Sequence, residues 1–191
     1  MSAAGPVTAA RGAALGLFGK LPGHGDFVRR GLPIGFCGPW DDWIQGCLAV
    51  AQRRFAPEWD AAWRRAPGLR FVLDPGVCGP AAAAGAMVAS CDGVGRSFPL
   101  TVAALRPARA GAVWPAEWLA AAERAARRAS AEALDADTAF GSLAGPDACA
   151  PEPAVGPGWW IADTGGAAAR RWDVASLPDA ADFAALLGEP A

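Results

Sequence analysis

The stretch GAMVASCDGVGRSFPLTVAAL, residues 85–105, decides how the rest of the chain is read. Two apolar runs, Gly85 to Cys91 and Pro99 to Leu105, flank a segment Asp92 to Ser97 that holds two glycines, one valine between them, and polar residues at either end. Runs of that length around a Gly-rich break predict an antiparallel hairpin. Just upstream, Leu69 to Leu73 is a third strand, stopped by the turn signal Asp74-Pro75-Gly76. Further upstream, Leu15 to Lys20 is a strand that runs into Leu21-Pro22-Gly23-His24-Gly25-Asp26. Near the other end, strands are expected at Trp159 to Ala162 and Ala169 to Val174, with Gly165-Gly166 as their turn.

Helical periodicity fills the intervals. Trp40, Trp43, Ile44, Cys47, Leu48 and Ala51 fall on one face of a helix, which the sequence starts near Pro39 with Asp41 and Asp42 in its first turns. Pro57 opens a short helix with Trp59, Ala62 and Trp63 on one side. Trp114-Pro115 opens the longest, to about Leu134, with Trp118, Ala122, Ala125, Ala126, Ala129 and Ala133 inward. On that helix Glu123, Arg124, Arg127 and Arg128 are assigned to solvent. Gly141 to Gly158 reads as a long loop, and Ser176-Leu177-Pro178-Asp179 starts a closing helix with Phe183, Leu186 and Leu187. Alternating strands and helices predict an α/β fold, a three-layer α/β/α sandwich on a mixed, largely antiparallel sheet. Residues 1–14 are expected to be a flexible segment and 15–188 one domain.

Composition narrows the function. With 191 residues, 53% of them apolar and 19% charged, the chain can bury a core without staples. A net charge of -2 gives no attraction to nucleic acid or to an anionic membrane. No apolar run approaches the roughly 20 residues of a spanning helix, and the first residues lack the pattern of a secretory signal. Five cysteines (Cys37, Cys47, Cys78, Cys91, Cys149) contain no CxxC pair, and with a single histidine a zinc site would need mostly thiolates at irregular spacing. Buried thiols in a reducing cytoplasm, with no cofactor, are expected.

Three segments carry more polar residues than a core needs. Gly19 to Phe27 holds the only lysine, Lys20, and the only histidine, His24, beside Asp26. In an enzyme His24 would be a general base oriented by Asp26, with Lys20 an anion clamp. The segment lacks a nearby Ser or Cys nucleophile, and a glycine-rich loop with locally satisfied polar groups is the better account. Asp74 to Gly79 contains Cys78, read as a packed turn residue because no histidine follows it. Ser90 to Leu100 resembles a phosphate loop in its glycines and Arg96, but it lacks the GxxxxGK[ST] spacing and joins strands. An Asp92–Arg96 pair across the hairpin loop is the simpler account.

The motifs GKLPGHGDF, PWDDW, RFVLDPGVCG and SCDGVGRSFPL, in that order, are similar to those of the TagF/ImpM family of type VI secretion-associated proteins. The resemblance covers Leu17 to Leu105 and departs from the family pattern at Ala81 to Ala84, Ala89, Gly93 and Ser97. It implies a three-layer domain and a cytoplasmic regulator, generally a repressor, that engages the forkhead-associated scaffold protein Fha and has no catalytic activity. On that reading Lys20, His24, Asp26, Asp92 and Arg96 are candidate partner-binding residues. The alternative is a small hydrolase or phosphate-binding enzyme using His24, Asp26 and Arg96. Trp114, Trp159 and Trp160 would each be a natural partner anchor if exposed.

Overall fold

The structure is a computed structural model that describes residues 14–161, 170–172 and 176–187. The expected hairpin is its centre: β4 (Ala82–Val88) and β5 (Leu100–Arg106) pair antiparallel from Ala82 opposite Arg106 to Val88 opposite Leu100. β4 begins three residues before the predicted start at Gly85. Nothing in Ala82 to Ala84 favours a strand, but pairing with β3 (Leu69–Leu73) on one side and β5 on the other overrides weak propensity. β1 (Ala14–Gly19) flanks β5, and β2 (Val28–Arg30) closes that edge. On the far side β3 pairs with β8 (Gly158–Ile161) and β8 with β9 (Arg170–Trp172). The order is β2-β1-β5-β4-β3-β8-β9, and every pairing among the described strands is antiparallel.

Alternation along the strands sorts side chains to two faces. Phe18, Leu69, Phe71, Leu73, Met87 and Trp159 face a layer made by α1 (Ile34–Phe55), α2 (Trp59–Arg65) and α5 (Ala180–Leu187). Leu17, Val72, Val88, Leu100, Val102 and Trp160 face α3 (Ala116–Ala131) and α4 (Ala136–Gly141). This is the α/β architecture read from the sequence. Trp40 anchors the first layer, within 4.7 Å of Phe71 and 5.9 Å of Trp159 between ring centroids. Its indole N–H donates to Thr101 Oγ1 at 3.0 Å. Trp114, Trp159 and Trp160 are all buried, so none is a surface anchor.

Several boundaries differ from expectation for identifiable reasons. α1 starts at Ile34, because the carbonyl of Pro33 accepts from the amides of Phe36 and Cys37; Pro39 lies inside the helix and no acid lies in its first turn. Trp114-Pro115 is a two-residue strand, β6, paired with β7 (Ala154–Val155) instead of opening α3. Ala133 is exposed with φ 48°, the left-handed residue of a C-terminal motif in which Leu134 N–H donates to the Ala129 carbonyl. Glu123 is buried rather than solvated, because Arg70 projects from β3 into the same interface and donates to its Oε2 at 2.8 Å. Arg127 holds Oε1 at 2.9 Å.

The predicted long loop contains a 3-10 turn, Pro146–Ala148, as well as β7. α4 escaped the sequence reading although Asp135 caps it, accepting from Asp137 and Thr138 amides. The closing helix begins at Ala180 behind a second such cap, Asp179. Residues 1–13, the Gly165-Gly166 turn, Ala162, Ala169, Val174 and residue 188 lie outside the described residues. No described helix is long and apolar enough to cross a membrane.

The Trp40–Thr101 bond gives a test of this packing. Thr101→Val keeps shape but strands a buried indole N–H, and should destabilise the protein by about 1–3 kcal/mol in urea unfolding with an unchanged m-value.

Candidate functional site

Strand register brings the first and third special segments together. Gly19 lies opposite Leu100, which itself lies opposite Val88. The loop leaving β1 and the loop joining β4 to β5 therefore emerge side by side from one end of the sheet. Gly19 is required at this crossing: its φ is +137°, and an added Cβ would sit 2.0 Å from the Pro99 carbonyl oxygen.

The hairpin loop is built on Asp92. Its backbone N–H donates to the Arg96 carbonyl at 3.2 Å and its carbonyl accepts from Gly95 N–H at 2.9 Å. Gly95 supplies the positive φ, +84°, that closes the turn. Inside the turn, Asp92 Oδ1 accepts from the amides of Val94 (3.1 Å) and Arg96 (2.9 Å). Oδ2 accepts from Lys20 Nζ at 3.0 Å and from Arg96 Nε at 2.6 Å. The expected Asp92–Arg96 pair is present, with the Asp92 side chain completely buried.

Burial alone would raise the Asp92 pKa. The hydrogen bonds from the Arg96 amide, the Lys20 ammonium, the Arg96 guanidinium and the Val94 amide outweigh it and hold the carboxyl well below the usual carboxylate range. Arg96 continues to the other loop, donating from Nη2 to the Gly25 carbonyl at 2.8 Å. Gly93 N–H donates to the His24 carbonyl at 2.7 Å, so the two loops are joined by main chain as well.

The candidate residues thus divide. Lys20, Asp92 and Arg96 form one cluster. His24 points elsewhere: its Nε2 accepts the amide N–H of Ala136, the first residue of α4, at 2.9 Å. That bond places the neutral ring's proton on Nδ1. Asp26 is exposed and its Oδ1 accepts the next amide, that of Phe27, at 2.8 Å. Among the described residues no hydrogen bond joins His24 to Asp26.

Four residues that sequence reasoning missed complete the site. Ser90, buried at the end of β4, donates from Oγ to the Lys20 carbonyl at 2.8 Å and contacts Ser130 Oγ at 2.9 Å. Phe27 is 42% exposed, stacks on Phe18, meets Phe98 edge-to-face, and lies under the Lys20 ammonium. Val94, at the hairpin tip, is 74% exposed. A valine between two glycines was a legible signal for an exposed tip; Ser90 in an apolar run was not. Beside the loops opens a cleft of about 530 Å³ lined by Pro22, Trp63, Arg64, Ser90, Ser97 and Ser130, among others; His24, Asp26 and Arg96 do not line it.

Three of the five thiols are buried as expected, whereas Cys91 and Cys149 are only half-buried, Cys91 because it lines the cleft. Burial pushes the pKa of Cys37 up to about 11, and those of Cys47 and Cys78 up to about 12. Cys78 lies in its turn with Sγ against the Phe36 carbonyl. Among the described residues no group of three or more His, Cys, Asp or Glu is placed to hold a metal ion.

The family model for the TagF N-terminal domain, described as type VI secretion system-associated, matches residues 16–144, a span that includes both loops. The crystal structure of PA0076 from Pseudomonas aeruginosa PAO1 is similar over 93% of this chain and 96% of that one, with a TM-score of 0.73 and 28% sequence identity. No curated protein matches the chain.

The Asp92 cluster has a pH signature. A carboxyl with a depressed folded pKa contributes stability above its unfolded value, near 3.8, and loses it as pH falls toward the folded value. Asp92→Asn should therefore lower the urea midpoint at neutral pH. The gap from wild type should narrow steadily below about pH 4. A gap that is constant with pH would contradict the assignment.

Proposed function

Because the chain belongs to the TagF N-terminal domain family of type VI secretion system-associated proteins, we propose that it is a regulator of that system, a repressor, acting by protein–protein contact. It works in the cytoplasm, without catalysis, by docking on the forkhead-associated scaffold protein Fha. One observation carries the reading: the reactive-looking groups of the two loops are turned inward, and what remains outside is a preformed contact surface. Lys20 and the Arg96 Nε are held by Asp92, and the His24 Nε2 is held by Ala136. Val94, Phe27, Asp26 and the outer part of Arg96 face solvent.

An exposed aliphatic tip beside an aromatic edge and an arginine has the composition of a binding hot spot. A loop already locked by its own hydrogen bonds loses little conformational freedom on docking, which favours affinity. General base catalysis by His24 would first require the ring to give up the helix it caps.

Co-purification of Fha with the intact chain tests this. Val94→Asp, which leaves every loop hydrogen bond in place, should weaken Fha binding about tenfold or more, roughly 1.4 kcal/mol. Phe27→Ala should weaken it several-fold, and Arg124→Ala on α3 should bind as wild type. Retention of full affinity by Val94→Asp and Phe27→Ala, or no binding by wild type, would sink the reading. Repression predicts in addition that overproducing the wild-type chain lowers effector secretion and that the Val94→Asp form does not.

A further inference from the structure

The cleft beside the docking loops has an inventory that neither loop accounts for. Its hydrogen-bonding capacity follows from counting protons. Ser90 donates its one hydroxyl proton to the Lys20 carbonyl, so in the Ser90–Ser130 contact Ser130 is the donor. Ser130 therefore offers a ligand only lone pairs. Ser97 is the converse: its Oγ accepts from the Trp59 indole N–H at 3.3 Å, leaving its own proton to donate.

Charge is mixed in the same way. Asp60 and Arg64 stand one turn apart on α2, both exposed and both lining the cleft, and among the described residues no hydrogen bond or ion pair holds either of them. Trp63 supplies an apolar wall, fixed in place by its indole N–H on the Ser90 carbonyl at 2.8 Å.

A phosphate or other all-acceptor anion suits this lining poorly, because its oxygens would meet the Asp60 carboxylate and the Ser130 lone pairs. A polypeptide suits it well, with donors and acceptors alternating along its backbone and charges of both signs on its side chains. At about 530 Å³ the cleft is of the size that holds a few residues. Gly95, next to the exposed Val94, is part of the lining. One partner chain can therefore touch the hairpin tip and continue inward.

We infer that this cleft receives a short extended segment of the docking partner, with an acidic side chain on Arg64 and a basic side chain on Asp60. The inference rests on the reading that the chain acts by docking on a protein, and it names the part of that partner which is bound.

The test is calorimetry of the full-length chain with short overlapping peptides that tile Fha, run alongside titration with intact Fha. Peptides carrying both an acidic and a basic residue should bind, and Arg64→Glu should weaken that binding about tenfold. Arg64 is exposed and holds no other group, so circular dichroism of the variant should match wild type. Replacing the acidic residue of the bound peptide by lysine should restore binding to the Arg64→Glu form.

If intact Fha binds wild type but no peptide does, or if Arg64→Glu and Asp60→Lys bind as wild type, the cleft is not the segment's site. Displacement of the peptide by millimolar inorganic phosphate would make it an anion site and overturn the inference as well. If intact Fha fails to bind wild type, the docking reading falls and the inference with it.

Discussion

The Asp92 carboxylate lies out of solvent and receives hydrogen bonds from two backbone amides, an ammonium and a guanidinium. Removing a carboxylate from water is costly unless its lone pairs are met, and here all the donors come from the two loops it joins. The constraint runs in both directions. Lys20, itself buried, has its ion-pair partner in the acid, and Arg96 is anchored at Nε by the same carboxylate while its Nη2 reaches the Gly25 carbonyl. A half-formed cluster would be worse than none, so the loops are either both in place or both displaced. That all-or-none property is what makes a glycine-rich surface present a single shape.

The sheet makes the cluster possible, and the helices keep it where it is. β5 is the inner strand between β1 and β4, so two loops about 70 residues apart in the chain leave the sheet at the same level. Ser90 then ties that level to the α3 layer through Ser130, while its carbonyl takes the Trp63 indole N–H from the α2 side. α3 is tied to β3 by the bond from Arg70 to Glu123, whose other carboxylate oxygen is held by Arg127 of α3 itself. A buried acid with a partner on each element fixes register more than it adds net stability.

Much of this architecture was legible in the sequence, and the illegible parts share a cause. Leu69 to Leu73 was read correctly because a short apolar run stopped by a turn signal is a local mark, and the α1 stripe because its own periodicity states which face is buried. The start of β4, the burial of Glu123 and the strand at Trp114-Pro115 were not, because each depends on a partner distant in the chain: β3, Arg70 and β7 respectively. The site shows the same division. Lys20, His24, Asp26, Asp92 and Arg96 stood out as unusual residue types in glycine-rich loops, but which of them meet is a matter of register. Ser90 gave no signal, since one serine in an apolar strand looks like any other.

His24 shows that residue type does not fix which neighbours a side chain meets. A lone histidine next to an aspartate invites an acid–base reading, yet its lone-pair nitrogen does the work of a helix cap for α4 and its carbonyl holds Gly93 of the hairpin. Through those two bonds one residue links the first loop, the second loop and the helix behind them. Gly23, one position earlier, is pressed so close to the Ala133 carbonyl that a Cβ would approach it to 2.8 Å. The end of α3, the start of α4 and both loops are thus one contiguous body. In such a body the polar groups of both loops are held where the fold has committed them.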